Sequence, residues 1–501
     1  MKAINRMPEK YKSVALFSLF LLLAAVLGFF RRLGNVDELW NFTFGNNMAM
    51  GLVPYRDFNL LQTPLFAMLH GLALGVFGRE LLVTRMLGAL LFAIICYLLY
   101  LFSEQMEVKG CGRLVLPLVF LLCFDYNVFY EYSCSILAVQ LFSMYRDVRF
   151  VRQRISTEQY FSVRYQLVTG LFAGAAIMCK QTFGGFVALA AWCSVLLLGF
   201  MYRQDRKNVR KAFFARLAGS SIPCFFVLFY LLGTGSWDDF IDMSLKGIST
   251  FSSRLMLWEY MAEDPEYMAT GIAFLLSVLL GVIYTLYNRK NEKGRMGLLV
   301  LLYSTLGCIN LYPLCNSYHI LTCLFPFLVL VLPYLAWLQR FRLVQIAAAG
   351  AVFACFVDIC GVKPYTVVKN SVLLTDVPHF QGIFMDRGEE AEYRDIVEEI
   401  RLRKENGFDV YILDNEAVKY LIPSDIYHKY TDMFLVGNLG QKTPGECLDD
   451  TLYTSGQAMY LIPSDFDDQY QYPRQAVESF IEEKLDYAQT IGHFRCYMPR
   501  V

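Results

Sequence analysis

Charge is scarce in this sequence. Asp, Glu, Lys and Arg make up 18% of its 501 residues, against about a quarter in soluble domains. So few charges cannot cover a water-soluble chain of this length. No Cys-x-x-Cys pair occurs among the 14 cysteines, which argues against a zinc site or thioredoxin-like redox chemistry. All but Cys447 and Cys496 lie at or before Cys360, mostly in apolar runs, where Cys behaves as a small hydrophobe. A Cys447–Cys496 disulfide stays open if that region faces an oxidising compartment. The N-terminus carries Lys2, Arg6, Lys10 and Lys12 ahead of an apolar stretch over 14–30. It lacks a small-residue cleavage site, running instead into Phe29-Phe30-Arg31-Arg32, so it reads as a retained first helix.

Apolar length is abundant. Hydrophobic types reach 56%, with 41 Phe and 32 Tyr, and mean hydropathy is +0.39. Apolar stretches of about 18 residues or more mark transmembrane helices. Eleven are expected, over 13–31, 83–102, 113–130, 132–147, 164–180, 184–201, 213–233, 268–287, 296–313, 319–338 and 343–360. With the N-terminus inside, the clusters Arg146–Arg154, Arg203–Lys211, Arg289–Arg295 and Arg340–Arg342 all fall inside, as the positive-inside rule requires. The fold class is therefore a polytopic α-helical membrane protein, multi-pass, with a cytoplasmic N-terminus. The apolar run over 64–77 is too short to span and would break the alternation. It reads as an amphipathic or re-entrant helix within a first outer loop, roughly 32–82. A second outer loop, 233–270, reads as a surface helix or a lid.

The transmembrane part is expected over 1–360 and a soluble extracytoplasmic domain over 361–501. That second part holds 14 basic and 24 acidic residues, leaving 31 basic and 21 acidic in the rest. A basic membrane part with an acidic tail argues against nucleic-acid binding. The tail reads as small α/β: helices over 391–405 and 473–485, strands over 409–413, 458–463 and 490–498. The string Tyr-Leu-Ile-Pro-Ser-Asp occurs at 420–425 and again at 460–465. Chance accounts for it more readily than duplication.

The first outer loop carries the chemistry. It reads Gly34-Asn35-Val36-Asp37-Glu38-Leu39-Trp40-Asn41, then Gly51-Leu52-Val53-Pro54-Tyr55-Arg56-Asp57-Phe58, then Gln62-Thr63-Pro64-Leu65. Partial burial and a like-charged neighbour raise a carboxylate pKa toward general-base work. Asp37 also has a structural reading, as the N-cap of a helix through Trp40 and Phe44. Taken together, Asp37-Glu38, the Gly-x-x-Pro-Tyr-x-Asp segment at 51–57, Pro64-Leu65 and Phe77-Gly78 resemble the integral-membrane glycosyltransferases of the GT-C class. The protein O-mannosyltransferase and aminoarabinose-transferase-like families are the nearest in pattern. The resemblance is strong over 14–102, weaker through 360, and limited to architecture in the tail.

That resemblance implies a sugar donor linked to polyprenyl phosphate and an acceptor hydroxyl on a glycan, lipid or protein. Asp37 takes the position of the base, with inversion at the anomeric carbon, and Glu38 orients it or the acceptor. Asp57, with Tyr55 and Arg56, matches the second acidic segment and helps build the site. A phosphate leaving group needs positive charge where negative charge grows. Lys180 and His319, at expected outer turns, match family positions for it. Their structural readings are snorkelling to headgroups for Lys180 and a satisfied interfacial histidine for His319. Asp125 and Glu131 flank another outer turn and read as acceptor or sugar contacts, or as solvated loop charge. Arg31 and Arg32 contact headgroups or donor. No divalent metal or other cofactor is expected. The small α/β tail, unlike the β-rich inserts of eukaryotic protein mannosyltransferases, points to a bacterial plasma membrane. Two other functions remain open: a transporter or flippase of a lipid-linked molecule, and a membrane scaffold. No paired broken helices of the transporter kind occur in two halves, and the polar residues gather at outer ends.

Overall fold

A computed structural model describes residues 9–34, 36–123, 131–247, 255–454, 457–465 and 472–500. The chain divides into two compact units. The first contains Met1–Gly28, Gly88–Val227 and Arg254–Pro364; the second contains Phe29–Leu87, Leu228–Ser253 and Tyr365–Val501.

Apolar helices build the first unit. Among the described residues seven helices are long and apolar enough to cross a membrane, and the bent pair Ser317–Leu328 and Leu332–Leu338 makes an eighth. The other three expected spans correspond to Gly112–Cys123 and Val163–Cys179, which are apolar but short, and to Glu131–Val151, which carries Arg146, Asp147 and Arg149. A count of eleven therefore does not follow from length and composition. The last helix runs Arg342–Asn370, past the expected end at 360. Large apolar side chains such as Leu279, Leu343 and Phe353 point outward, which suits lipid and would be a liability in water. Small residues let helices approach. A Cβ at Gly170 would lie 2.0 Å from the Arg216 carbonyl oxygen, and one at Gly174 would lie 2.1 Å from that of Ser220. This four-residue glycine spacing brings Val163–Cys179 against Arg206–Gly233, in the manner of transmembrane helix pairs.

The tail forms sheets flanked by helices. Strands β1 (Ser371–Leu374) and β2 (Ile383–Asp386) pair antiparallel. Strands β3 (Asp409–Ile412), β4 (Ala458–Pro463), β5 (Leu485–Ile491) and β6 (Phe494–Pro499) form a sheet in the order β3-β4-β6-β5. Within this sheet β3 and β4 pair parallel, and the β4–β6 and β5–β6 pairs are antiparallel. Alternation along the strands buries both faces. Val410, Ile412, Met459, Leu461 and Cys496 enter one core; Tyr411, Leu413, Tyr460, Ile462 and Tyr497 enter the other. Helix Glu390–Glu405 covers the first face through Tyr393, Ile396 and Ile400, a helical stripe. Cys447 belongs to the second core and Cys496 to the first. Both are unbonded, on opposite faces of the sheet.

The strand expected over 490–498 is instead a hairpin turning at Gly492, whose φ of +55° suits glycine. The repeated six-residue string is helical over 420–424 in its first copy, and the second copy lies on β4 over 460–463. The two copies are not a duplicated unit. The short apolar run of the first loop is helix Leu65–Phe77.

Candidate active site

Past the first span, the chain turns at Gly34 and enters helix Val36–Ala49. Asp37 and Glu38 stand in its first turn, where the helix dipole favours carboxylates. The helix begins at Val36, so Asp37 lies inside it and is not its N-cap. Neighbouring helical residues point about 100° apart, and the two carboxylates have different surroundings. Glu38 is fully buried, and its oxygens accept from Arg85 Nε at 2.8 Å and Nη2 at 3.1 Å. Arg31 Nε lies 3.8 Å away. Arg85 is equally buried and also donates to the carbonyls of Arg31, at 2.9 Å, and Arg32, at 3.2 Å. A bidentate pair of this kind fixes orientation as well as charge. Asp37 is half-buried, and its carbonyl accepts from Asn41 Nδ2 at 2.8 Å.

The second motif closes on itself. Tyr55 adopts a left-handed φ of +70°. It is fully buried, its hydroxyl donates to the Gln62 carbonyl at 2.6 Å, and its ring meets Phe240 edge-on. Burial pushes its phenol above the ordinary range. Asp57 accepts from the Val53 amide at 2.7 Å and pairs with Arg56 at 2.8 and 2.9 Å. The Arg56 guanidinium holds the Asp57 carboxyl below its usual range. Arg56 also donates to the Thr234 carbonyl at 3.2 Å. Phe58 stacks on Phe44, seven residues and about 10 Å along the helix from Asp37. The turn thus lies beside the later half of the helix, away from the acidic pair.

The first unit holds the two candidate cations. Lys180 is a single extended residue between helices Val163–Cys179 and Gln181–Met201. Its ammonium sits 5.1 Å from the centre of the Tyr132 ring, within cation–π range. His319 opens helix Ser317–Leu328, its amide donating to the Asn316 side chain at 3.0 Å. Its Nδ1 donates to the Leu314 carbonyl at 2.5 Å. A carbonyl only accepts, so Nδ1 carries the ring proton. Glu131 begins helix Glu131–Val151, and Asp125 lies outside the described residues.

Three features escaped sequence reasoning. One is Arg85 as the partner of Glu38. The second is a cluster of Asn46, Arg79, His379, Asp425 and Tyr427. The third is the buried pair Asp147–Arg216. Arg85 and Arg216 did carry a signal, because an ionisable residue inside an apolar span demands a partner.

No family model matches the chain, and no curated protein matches it in sequence. Solved structures do. ArnT from Cupriavidus metallidurans, bound to undecaprenyl phosphate, aligns over 98% of each chain with a TM-score of 0.59 at 10% identity. The chain has the ArnT fold. The apo state of the same transferase aligns over 97% of each chain with a TM-score of 0.58. The S. cerevisiae protein O-mannosyltransferase Pmt1–Pmt2 complex bound to the sugar donor aligns over 50% of this chain and 37% of that one. Its TM-score of 0.34 is too low to mark a shared fold. The likeness in fold extends over the whole chain, tail included.

Proposed function

We propose that this protein transfers a sugar from a polyprenyl-phosphate donor to an acceptor hydroxyl, on the outer face of the plasma membrane and with inversion. The observation that carries the reading is the ArnT fold, matched end to end with a structure that holds undecaprenyl phosphate. The split within the acidic pair supports it. Arg85 commits Glu38 to structure, which leaves the base to Asp37. Asp37 accepts the hydroxyl proton, the acceptor oxygen attacks the anomeric carbon, and the carbon–oxygen bond to phosphate breaks. Glu38 is then a positioning residue, and Tyr55, Arg56 and Asp57 shape the loop.

Lys180 is the constant cation assigned to the leaving phosphate. His319 can donate only from Nε2, and only as imidazolium, because Nδ1 is committed to Leu314. Asp125 and Glu131 are the acceptor-side candidates. The reading needs no metal, and EDTA should leave the rate unchanged.

The test is release of polyprenyl phosphate from a panel of polyprenyl-phosphate sugars by purified protein, beside Asp37→Asn. Release by wild type and a fall of at least ~10²-fold in the variant are expected for a lost general base. No release with any donor, from a well-folded protein given cell-envelope acceptors, would overturn the reading in favour of a transporter or scaffold.

A further inference from the structure

The tail has no catalytic motif of its own, yet it shares a core with the first loop. Leu39, Phe42, Leu74 and Leu81 from the loop pack in one cluster with Phe380, Ile383, Ile396 and Leu421 from the tail. Polar ties flank that cluster. At the entry to helix Val36–Ala49, Arg32 pairs with Asp386 at 2.6 Å, and the Leu33 amide donates to the Phe384 carbonyl at 2.6 Å. Near its other end, buried Asn46 uses both halves of its amide. Its oxygen accepts from Arg79 Nε at 2.8 Å, and its nitrogen donates to the Tyr427 hydroxyl at 2.8 Å.

Arg79 goes on to pair with Asp425. Asp425 also accepts from Tyr427 at 2.9 Å and meets His379 Nε2 at 3.1 Å. His379 Nδ1 donates to the Arg79 carbonyl at 2.6 Å, and the Leu81 amide donates to the His379 carbonyl at 2.9 Å. His379 and Asp425 both hold left-handed backbones, with φ of +65° and +50°. Such backbones cost energy and persist only where the surroundings over-determine them. Two strained residues of one tail, both aimed at one arginine of the loop, mark a built contact.

We propose that Arg79, His379, Asp425, Tyr427 and Asn46 form a latch through which the tail positions the helix carrying Asp37. The tail is thus a part of the catalytic scaffold. These are positioning residues for the transfer, and that role rests on the function proposed above. The contact itself does not.

Asp425→Asn is the decisive variant. Asn tolerates the left-handed backbone and keeps the shape, while the charge that pairs with Arg79 is lost. Hydrogen exchange is read by mass spectrometry on the full chain in nanodiscs, with Tyr427→Phe as a second variant. Exchange across Val36–Ala49 should rise about tenfold in Asp425→Asn, the effect of losing one charge-assisted hydrogen bond. Strands β4 and β6 should stay protected, and Asp425→Glu should recover part of the loss. With any polyprenyl-phosphate sugar that wild type turns over, kcat should fall in both variants while KM for the donor holds. Unchanged exchange in the helix overturns the latch, as does equal loss of protection across β4 and β6, which would mark a purely structural role. Changed exchange with unchanged kcat overturns the positioning role. Wild type that releases no polyprenyl phosphate refutes the glycosyltransferase reading and, with it, the positioning role, while exchange still judges the contact.

Discussion

Each compact unit contains a fully buried ion pair, and the two are built differently. In the helical unit Asp147 meets Arg216 at 3.0 Å. Its carboxylate also accepts from Tyr160 at 2.9 Å, Ser194 at 2.6 Å and Tyr303 at 2.7 Å. Arg216 donates further to Gln166 at 2.7 Å and to the Ala191 carbonyl. That pair is a closed knot among helices, and such satisfaction is what makes buried charge tolerable. Glu38 and Arg85 bury as completely. Arg85 also donates to the backbone carbonyls of Arg31 and Arg32, at the entry to the helix that carries Asp37. One pair is tied among the helices of the bundle; the other is tied to the segment that enters a helix.

The strongest way to break this comparison is Arg216→Ala. It strands Asp147 without its cation and should cost about 3–5 kcal/mol, read as a lower melting temperature or failure to purify. Arg85→Ala should cost toward the low end, about 3 kcal/mol, because Arg31 remains 3.8 Å from Glu38. Equal losses would erase the difference between the two pairs. Asp37→Asn sharpens it from the other side. Polyprenyl phosphate release should fall at least ~10²-fold with little change in melting temperature, whereas Glu38→Ala should lower both.

A smaller effect is expected from pH. Burial pushes the Asp432 carboxyl, in the tail, up to about 8 from 3.8. The folded state therefore favours the protonated form, and stability falls as pH rises from about 4 toward 8. Asp432→Asn should flatten that slope, measured as melting of the full chain at pH 5 and pH 8. Asp57 has the opposite sign. Its pairing with Arg56 holds it below 3.8, so its contribution is present above that pH and lost as pH falls through the lower value. The pair is partly exposed, so Asp57→Asn should cost at most ~1 kcal/mol, the smallest change of the set.

Much of the fold was legible because its signals are local. Apolar length marks spans, and short apolar runs marked β3 and β4. The acidic pair at a helix start was visible as a motif. The division of labour inside that pair was not, since it depends on Arg85, 47 residues later. Sequence spacing places Tyr55, Arg56 and Asp57 in the same loop as Asp37, but the fold sets their turn beside Phe44.

The repeated string states the limit most plainly. Tyr-Leu-Ile-Pro-Ser-Asp is helix and turn at 420–425, where Tyr420, Leu421 and Ile422 fill the core shared with the first loop. At 460–465 the same residues enter β4, beside β3 and β6. By itself the sequence determined a multi-pass helical protein with an α/β tail and an acidic pair after its first span, because hydrophobic length and period are properties of neighbouring residues. Only the tertiary structure decided which carboxylate is clamped and that the tail grips the loop. Those outcomes depend on partners distant in the chain, whose burial and charge are defined only once the chain has folded.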